Sequence, residues 1–303
     1  MISRVATFAI NNQMIEAALR TQSTMANQQI QEASGLISSD YAGLGATSQQ
    51  VIDLQVSVTR SQSYIDAATS ADSKVQVMYS TVTSISNLLT QLRSLLTGAS
   101  NSATTDSSAV SESAQQMMQE MASLLNTQYS GQYLFGGSKT NTPPVDISSA
   151  SYPAMTSPSS ASTSYYQGDS EAASVRVSDD NTVTYGVTAD NSAFEQAMRA
   201  LNLAANNSPL SSATLTEALD LATSAVNATA EVQAQLGVAS SSIETASAAQ
   251  TSYQSFAKTL GGDLTNVDVA AVTAQLSTYQ AQLTASYAAI SKLQSLNLAS
   301  YLH

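Results

Sequence analysis

The chain has 303 residues, a formal net charge of −12 and an isoelectric point near 4.2. Such acidity, with no basic cluster to offset it, makes the chain a poor electrostatic partner for nucleic acid or an anionic membrane surface. There is no cysteine, which excludes disulfides and thiolate metal sites, and the single histidine, His303, is the last residue, where a catalytic role is not expected.

Hydrophobic residues make up 43% of the chain, enough for real cores, yet aromatics reach only 6% and charged residues 11%. Ala, Ser, Thr and Gln dominate. That mixture suits long helices packed through small side chains, and it is too apolar and too periodic for intrinsic disorder. No segment approaches the roughly 20 apolar residues of a membrane span. Residues 1–19 lack the apolar run of a cleavable signal peptide, so export is expected to use a route without one.

In chain order, the first element is a helix whose apolar positions Ile2, Val5, Phe8, Ile15, Leu19, Ala26, Ile30 and Ala33 recur at helical spacing, interrupted by Asn12 and Gln22. Polar residues on such a seam cost stability but can fix register and partner choice. Residues 34–45, with three glycines and a Ser/Asp run, form a connector. A second helix is expected from about Thr47 to Leu96, with a three-four seam from Val75 through Met78, Val82, Ile85, Leu89 and Leu92. Gly98 to Asp106 breaks the pattern. A third helix, using Val110, Met117, Met121, Leu124 and Leu125, is expected to end near Gly131.

Residues 138–190 hold Pro143, Pro144, Pro153 and Pro158, a Ser/Thr-rich stretch that reads as an extended loop, and two short alternating segments. Those segments, 174–178 and 182–185, flank Asp179-Asp180-Asn181 and predict a β-hairpin. Phe194, Met198 and Leu201 then mark a short helix closed by Asn206-Asn207-Ser208-Pro209. A long helix follows, from Leu215 through Ala222, Val232, Leu236 and Ile243 to Tyr253 and Phe256, with Leu260-Gly261-Gly262 expected to end it. The last helix carries Val269, Val272, Leu276, Tyr279, Leu283, Tyr287 and Ile290 on one face, with Leu293 beyond. Its one-sided stripe needs a partner helix, and the first helix is the candidate.

The expected fold is mainly α: a coiled-coil-like bundle of long helices, with paired terminal helices and a small β-rich inserted domain. The boundaries read as 1–45 with 257–303 for a terminal assembly domain, 46–137 with 191–256 for the helical bundle, and 138–190 for the insert. Nothing in the sequence carries an enzyme, and no cofactor is expected. The acidic residues Asp169, Glu171, Asp179, Asp180 and Asp190 match no calcium-loop spacing and read as a solvated surface. Gly136-Gly137 lacks a phosphate-loop signature and reads as turn geometry, and the methionines Met117, Met118 and Met121 read as bundle packing.

The run Gly131-Gln132-Tyr133-Leu134-Phe135-Gly136-Gly137-Ser138-Lys139-Thr140, followed by Pro143-Pro144, resembles the segment that leaves the helical domain in the flagellar hook-associated protein 3 (FlgL) family, within the bacterial flagellin superfamily. Tyr287-Ala288-Ala289-Ile290-Ser291-Lys292-Leu293, with Leu296, Leu298 and the ending Tyr301-Leu302, resembles that family's C-terminal end, and the nested helical layout agrees. The resemblance covers both helical arms and leaves out the β insert. It implies a structural protein of the bacterial flagellum, exported without a cleaved signal peptide, that forms a ring joining hook to filament; a flagellin-type filament subunit is the alternative. The implied partners are other copies of the chain, a neighbouring hook-associated junction protein, flagellin, and an export chaperone on the C-terminal helix. Val5, Phe8, Ile15, Leu19, Val272, Leu276, Tyr279, Leu283, Tyr287, Ile290 and Leu293 are the residues expected at the assembly or chaperone interface.

Overall fold

The computed structural model describes residues 2–101 and 107–295, apart from the side chains of 2–8 and 293–295. It contains six α-helices among those residues: α1 (Ile2–Ser34), α2 (Ser48–Asn101), α3 (Ser107–Leu125), α4 (Ser192–Asn206), α5 (Ser212–Thr265) and α6 (Val269–Ser295). Two small antiparallel hairpins complete it: β1 (Gln128–Tyr129) with β2 (Gln132–Tyr133), and β3 (Ser174–Arg176) with β4 (Thr182–Thr184). The chain divides into a terminal unit, Met1–Thr59 with Gln254–His303, and a central unit, Arg60–Tyr253. Helices α2 and α5 contribute to both.

In the central unit the three-four seam of α2 is core. Val75, Met78, Val82, Ile85, Leu89, Leu92 and Leu96 are all buried, as are Ala218, Ala222, Val232, Leu236 and Ile243 of α5. The two helices run antiparallel, tied by Gln233 Nε2 donating to Thr83 Oγ1 (3.0 Å) and Ser240 Oγ donating to Asp72 Oδ1 (2.6 Å). Helix α4 starts where the Asn191 side chain accepts from the Ala193 N–H, satisfying an otherwise orphan donor. It is buried along nearly its whole length and packs on α3, where Ser111 Oγ donates to the Ala204 carbonyl. Met121 is fully buried in that contact region, and Met117 and Met118 pack against the same core.

The segment after α3 departs from expectation. The third helix stops at Leu125, and a tight hairpin turns at Ser130 (φ 50) and Gly131 (φ 78). Two consecutive positive φ angles are what a two-residue hairpin turn demands. The chain then buries Phe135, whose ring meets Phe194 edge-on at 5.9 Å. At Gly137 (φ 68) an added Cβ would lie 2.2 Å from Asp169 Oδ1, so this turn admits only glycine. Asp169 holds the turn from the other side, accepting from the Ser138 N–H (2.9 Å) and Ser138 Oγ (2.5 Å).

The Ser/Thr-rich stretch has no regular structure, but it is fastened to α4 and α5. Met155 N–H donates to Asn202 Oδ1, Ser162 N–H to Glu195 Oε1, and the N–H and Oγ of Ser159 to Glu217 Oε1. Tyr152 and Tyr165, edge to face at 5.3 Å, extend the same buried core as the helices. The predicted hairpin is β3–β4, and Asp179 at its turn is held by Arg60 Nη1 (3.0 Å) and the Tyr64 hydroxyl (2.8 Å) of α2.

Two glycine breaks are absent. Helix α2 runs through Gly98 to Asn101, and α5 runs through Gly261-Gly262 to Thr265. An isolated glycine costs a helix only about 1 kcal/mol relative to alanine, less than the neighbouring turns return. The rest of the expected break, 102–106, lies outside the described residues, as does His303.

In the terminal unit α1 and α6 pack together. Their connectors meet as well. Leu36 and Asn266 form an antiparallel bridge, with Ile37 N–H donating to the Thr265 carbonyl and Val267 N–H to that of Gly35. Asp268 caps α6 through the Ala271 N–H. Beyond the bridge, a 3₁₀ stretch, Ala42–Thr47, kinks at Gly45 (φ 58, ψ −123) and leads into α2.

Candidate assembly interface

The terminal pair is built from mismatched faces. On α6 the expected stripe faces inward: Val272, Leu276 and Leu283 are buried, and Tyr279 and Ile290 half-buried. The face of α1 turned inward is different from the stripe read off the sequence. Ala18 is 4% exposed, and Asn11, Met14, Thr21, Met25 and Gln28, at the same three-four spacing, are half-buried. Ile15 (37%), Leu19 (58%) and Ile30 (59%), one heptad register away, face solvent. The structure therefore does not bring Ile15 and Leu19 onto the α6 stripe. Tyr287, also expected on the stripe, is 53% exposed, and the side chains of Val5, Phe8 and Leu293 lie outside the described ones.

The inward choice has an energetic consequence. Burying one Leu or Ile side chain fully is worth about 1.5–3 kcal/mol, and α1 leaves four of them, Ile10, Ile15, Leu19 and Ile30, exposed. Its inner face carries amides beside Met14, Ala18 and Met25. Gln28 Nε2 donates to Gln275 Oε1 (2.6 Å), and Thr273 Oγ1 donates to Glu32 Oε1 (2.7 Å). The buried Oδ1 of Asn11 and Oε1 of Gln28 have no hydrogen-bond partner among the described residues. Each such atom costs on the order of 1–3 kcal/mol.

The same displacement recurs on the neighbouring helices of this unit. On α5 the inward residues are Gln254 and Ala257, while Phe256, expected on the seam, is 63% exposed. On α2 Val51 is buried beside exposed Ile52, and Val56 is exposed too. Apart from Tyr79, Val238 and Tyr253, every large apolar side chain left exposed among the described residues belongs to the terminal unit. Exposed apolar residues concentrated in one unit make that unit the candidate for an interaction site. Between α2 and α5 of the unit lies a groove of about 440 Å³, floored by Val51, Leu54, Val58, Ala257, Gly261 and Gly262. A Cβ on Gly261 would touch nothing, so packing within the chain does not require glycine there.

Sequence periodicity found the stripes but not the residues flanking them. Ile10, Ile37, Ile52 and Val56 join the exposed set without having stood out, because each is a single apolar residue beside a seam, and Val269, expected on the α6 stripe, is 45% exposed as well. Among the described residues no group of three or more acidic or histidine side chains is placed to hold a metal, and no helix is long and apolar enough to cross a membrane.

Residues 5–140 match the family model of the bacterial flagellin N-terminal helical region, and residues 219–302 that of the flagellin C-terminal helical region. The fold is similar to that of a Vibrio parahaemolyticus chain assigned to the flagellar hook-associated proteins, with 18% sequence identity and a TM-score of 0.61 over 75% of this chain and 99% of that one. It is similar as well to flagellar hook-associated protein 3 of Legionella pneumophila, at 16% identity and a TM-score of 0.51 over 71% of this chain and 97% of that one. No curated protein is significantly similar in sequence.

Proposed function

Because the chain belongs to the bacterial flagellin superfamily, we propose that it is a structural axial protein of the flagellum and joins the hook to the filament. The observation that carries this reading is the outward apolar face of the terminal unit, where Leu19, Ile30, Phe256 and Tyr287 stand in water in the single chain. A face of that kind is stable only when neighbouring subunits cover it. Copies of this chain in a ring, a hook-associated neighbour on one side and flagellin on the other would supply the cover. Before export, a chaperone on the C-terminal helix would shield part of the same surface, and the chain would leave the cell without cleavage of a signal peptide. The role is mechanical, not enzymatic.

Two features favour a junction protein over a filament subunit. The Tyr133-Leu134-Phe135-Gly136-Gly137 run that resembles hook-associated protein 3 builds the glycine-only turn held by Asp169. The fold also matches chains named as hook-associated proteins along nearly their whole length. Electron microscopy of the purified chain at high concentration tests the assignment. A junction protein gives short oligomers or rings that grow no further. Long filaments formed by this chain alone would make it a flagellin-type subunit instead.

A further inference from the structure

Helix α1 carries two seams one residue apart, and the pair with α6 leaves outside the one that holds Ile15, Leu19 and Ile30. The inward seam holds Asn11, Met14, Ala18, Thr21, Met25 and Gln28; the outward one holds Asn12, Ile15, Leu19, Gln22, Ala26 and Ile30. One residue along a helix is a rotation of about 100°. A turn of α1 by that amount would lay its aliphatic seam against Val272, Leu276 and Leu283. Both seams carry apolar residues, so apolar burial alone does not choose between the two arrangements.

The contacts able to do so are two hydrogen bonds between the helices. Gln28 Nε2 reaches Gln275 Oε1 at 2.6 Å, and the Thr273 hydroxyl, shared with the Val269 carbonyl of its own helix at 2.8 Å, reaches Glu32 Oε1 at 2.7 Å. Both lie in the turns nearest the Leu36–Asn266 bridge, where the backbone already fixes the axial alignment of the two helices. With sliding prevented, rotation is the remaining freedom, and a turn of one position would carry Gln28 and Glu32 away from both partners. Gln28 stays on this seam although its Oε1 is buried without a partner among the described residues. A polar residue kept on a helix seam at a cost in stability is the device by which paired helices choose one geometry over its competitors.

We infer that Gln28 and Glu32, through Gln275 and Thr273, select the rotation of α1 on α6 and thereby hold the aliphatic seam of α1 outward. They act as positioning residues for a surface they do not belong to. The rotation follows from one copy of the chain alone; only its use in assembly rests on the function proposed above.

The chain has no cysteine, so thiol reporters can be placed one at a time in the full-length protein. Ala18→Cys and Leu19→Cys are compared for their rate of alkylation by a maleimide in dilute, dispersed protein. With Gln28 and Glu32 intact, the thiol at position 19 reacts faster than that at position 18, by roughly ten-fold, as expected for exposed against packed sites. In a Gln28→Ala, Glu32→Ala background the order reverses: position 18 speeds up and position 19 slows, with helicity unchanged by circular dichroism. An unchanged ratio overturns the inference. So does fast reaction at both positions, which would mean that the contacts hold the helices together without choosing the face. Because the rates are read on unassembled protein, failure of the junction reading leaves this outcome untouched.

Discussion

Leu36 and Asn266, from connectors at opposite ends of the sequence, pair as an antiparallel bridge, flanked by the Ile37–Thr265 and Val267–Gly35 backbone hydrogen bonds. Those few contacts bring the first and last described helices of the chain into one unit. They depend on Gly35, whose φ of 70° lies in the left-handed region and whose added Cβ would touch nothing. Gly35→Val therefore introduces conformational strain without a steric clash, about 1–2 kcal/mol, localised in the terminal unit. Amide exchange read residue by residue should show Ile37 and Val267 losing protection while Leu89 and Leu92 keep theirs. Equal loss in both units would contradict this localisation.

Leu92 is fully buried in the central core. Leu92→Ala removes apolar contacts and leaves a cavity, a cost of about 2–5 kcal/mol. Leu19→Ala, at a residue 58% exposed, should change stability by no more than about 0.5 kcal/mol. Urea denaturation of the two variants separates a core position from a surface one that carries the same residue. Similar losses for both would place Leu19 in a core that the structure does not contain.

The β3–β4 hairpin should release in acid. The carboxyl of Asp179 lies below the usual carboxylate range, chiefly because the Tyr64 hydroxyl donates to it, and then because of Arg60, with Arg176 adding a smaller attraction. A folded-state pKa depressed in this way stabilises the native contact above the unfolded value, near 4, and the contribution is lost as pH falls through the folded value. Protection of the β3 and β4 amides, measured against their intrinsic exchange rate, should therefore fall below about pH 4. Asp179→Asn should raise exchange at neutral pH and flatten the acid dependence. A hairpin equally protected on both sides of that pH would show that the clasp does not hold it.

Leu283 is 6% exposed on the inner face of α6. Leu283→Asp puts a carboxylate among apolar side chains with no cation among the described residues of that face to pair with it, at a cost of several kcal/mol. The expected result is proteolytic trimming at both termini with a resistant centre, because the change separates α1 from α6 before any partner chain is involved. Trimming no faster than in the unsubstituted chain would mean that Leu283 does not hold the pair.

Much of this was legible in the residues. Three-four spacing located the central seam of α2, and the Asp-Asp-Asn turn between alternating segments located β3–β4. Periodicity reports that a helix has an apolar stripe, not which neighbour the stripe faces. On α1 the two candidate faces differ by a single residue, and the one with Ile15, Leu19 and Ile30 is turned out. The choice lies in Gln28 and Glu32 and their partners on α6, far along the sequence and invisible to any local window. The β1–β2 hairpin was missed for a plainer reason: its strands are two residues long, and only Ser130-Gly131 announces the turn. Gly98 and Gly261-Gly262 looked like breaks because glycine is a poor helix former, but a weak local preference yields to the turns on either side.

The most direct test is the oligomeric state of a Leu19→Asp, Ile30→Asp variant, measured by sedimentation at concentrations where the unsubstituted chain forms short oligomers. Both residues face solvent in the single chain, so its fold and thermal unfolding should be unaffected. If the outward face of the terminal unit is where subunits meet, the variant remains monomeric. Oligomers formed as readily as by the unsubstituted chain would mean that the subunits meet elsewhere.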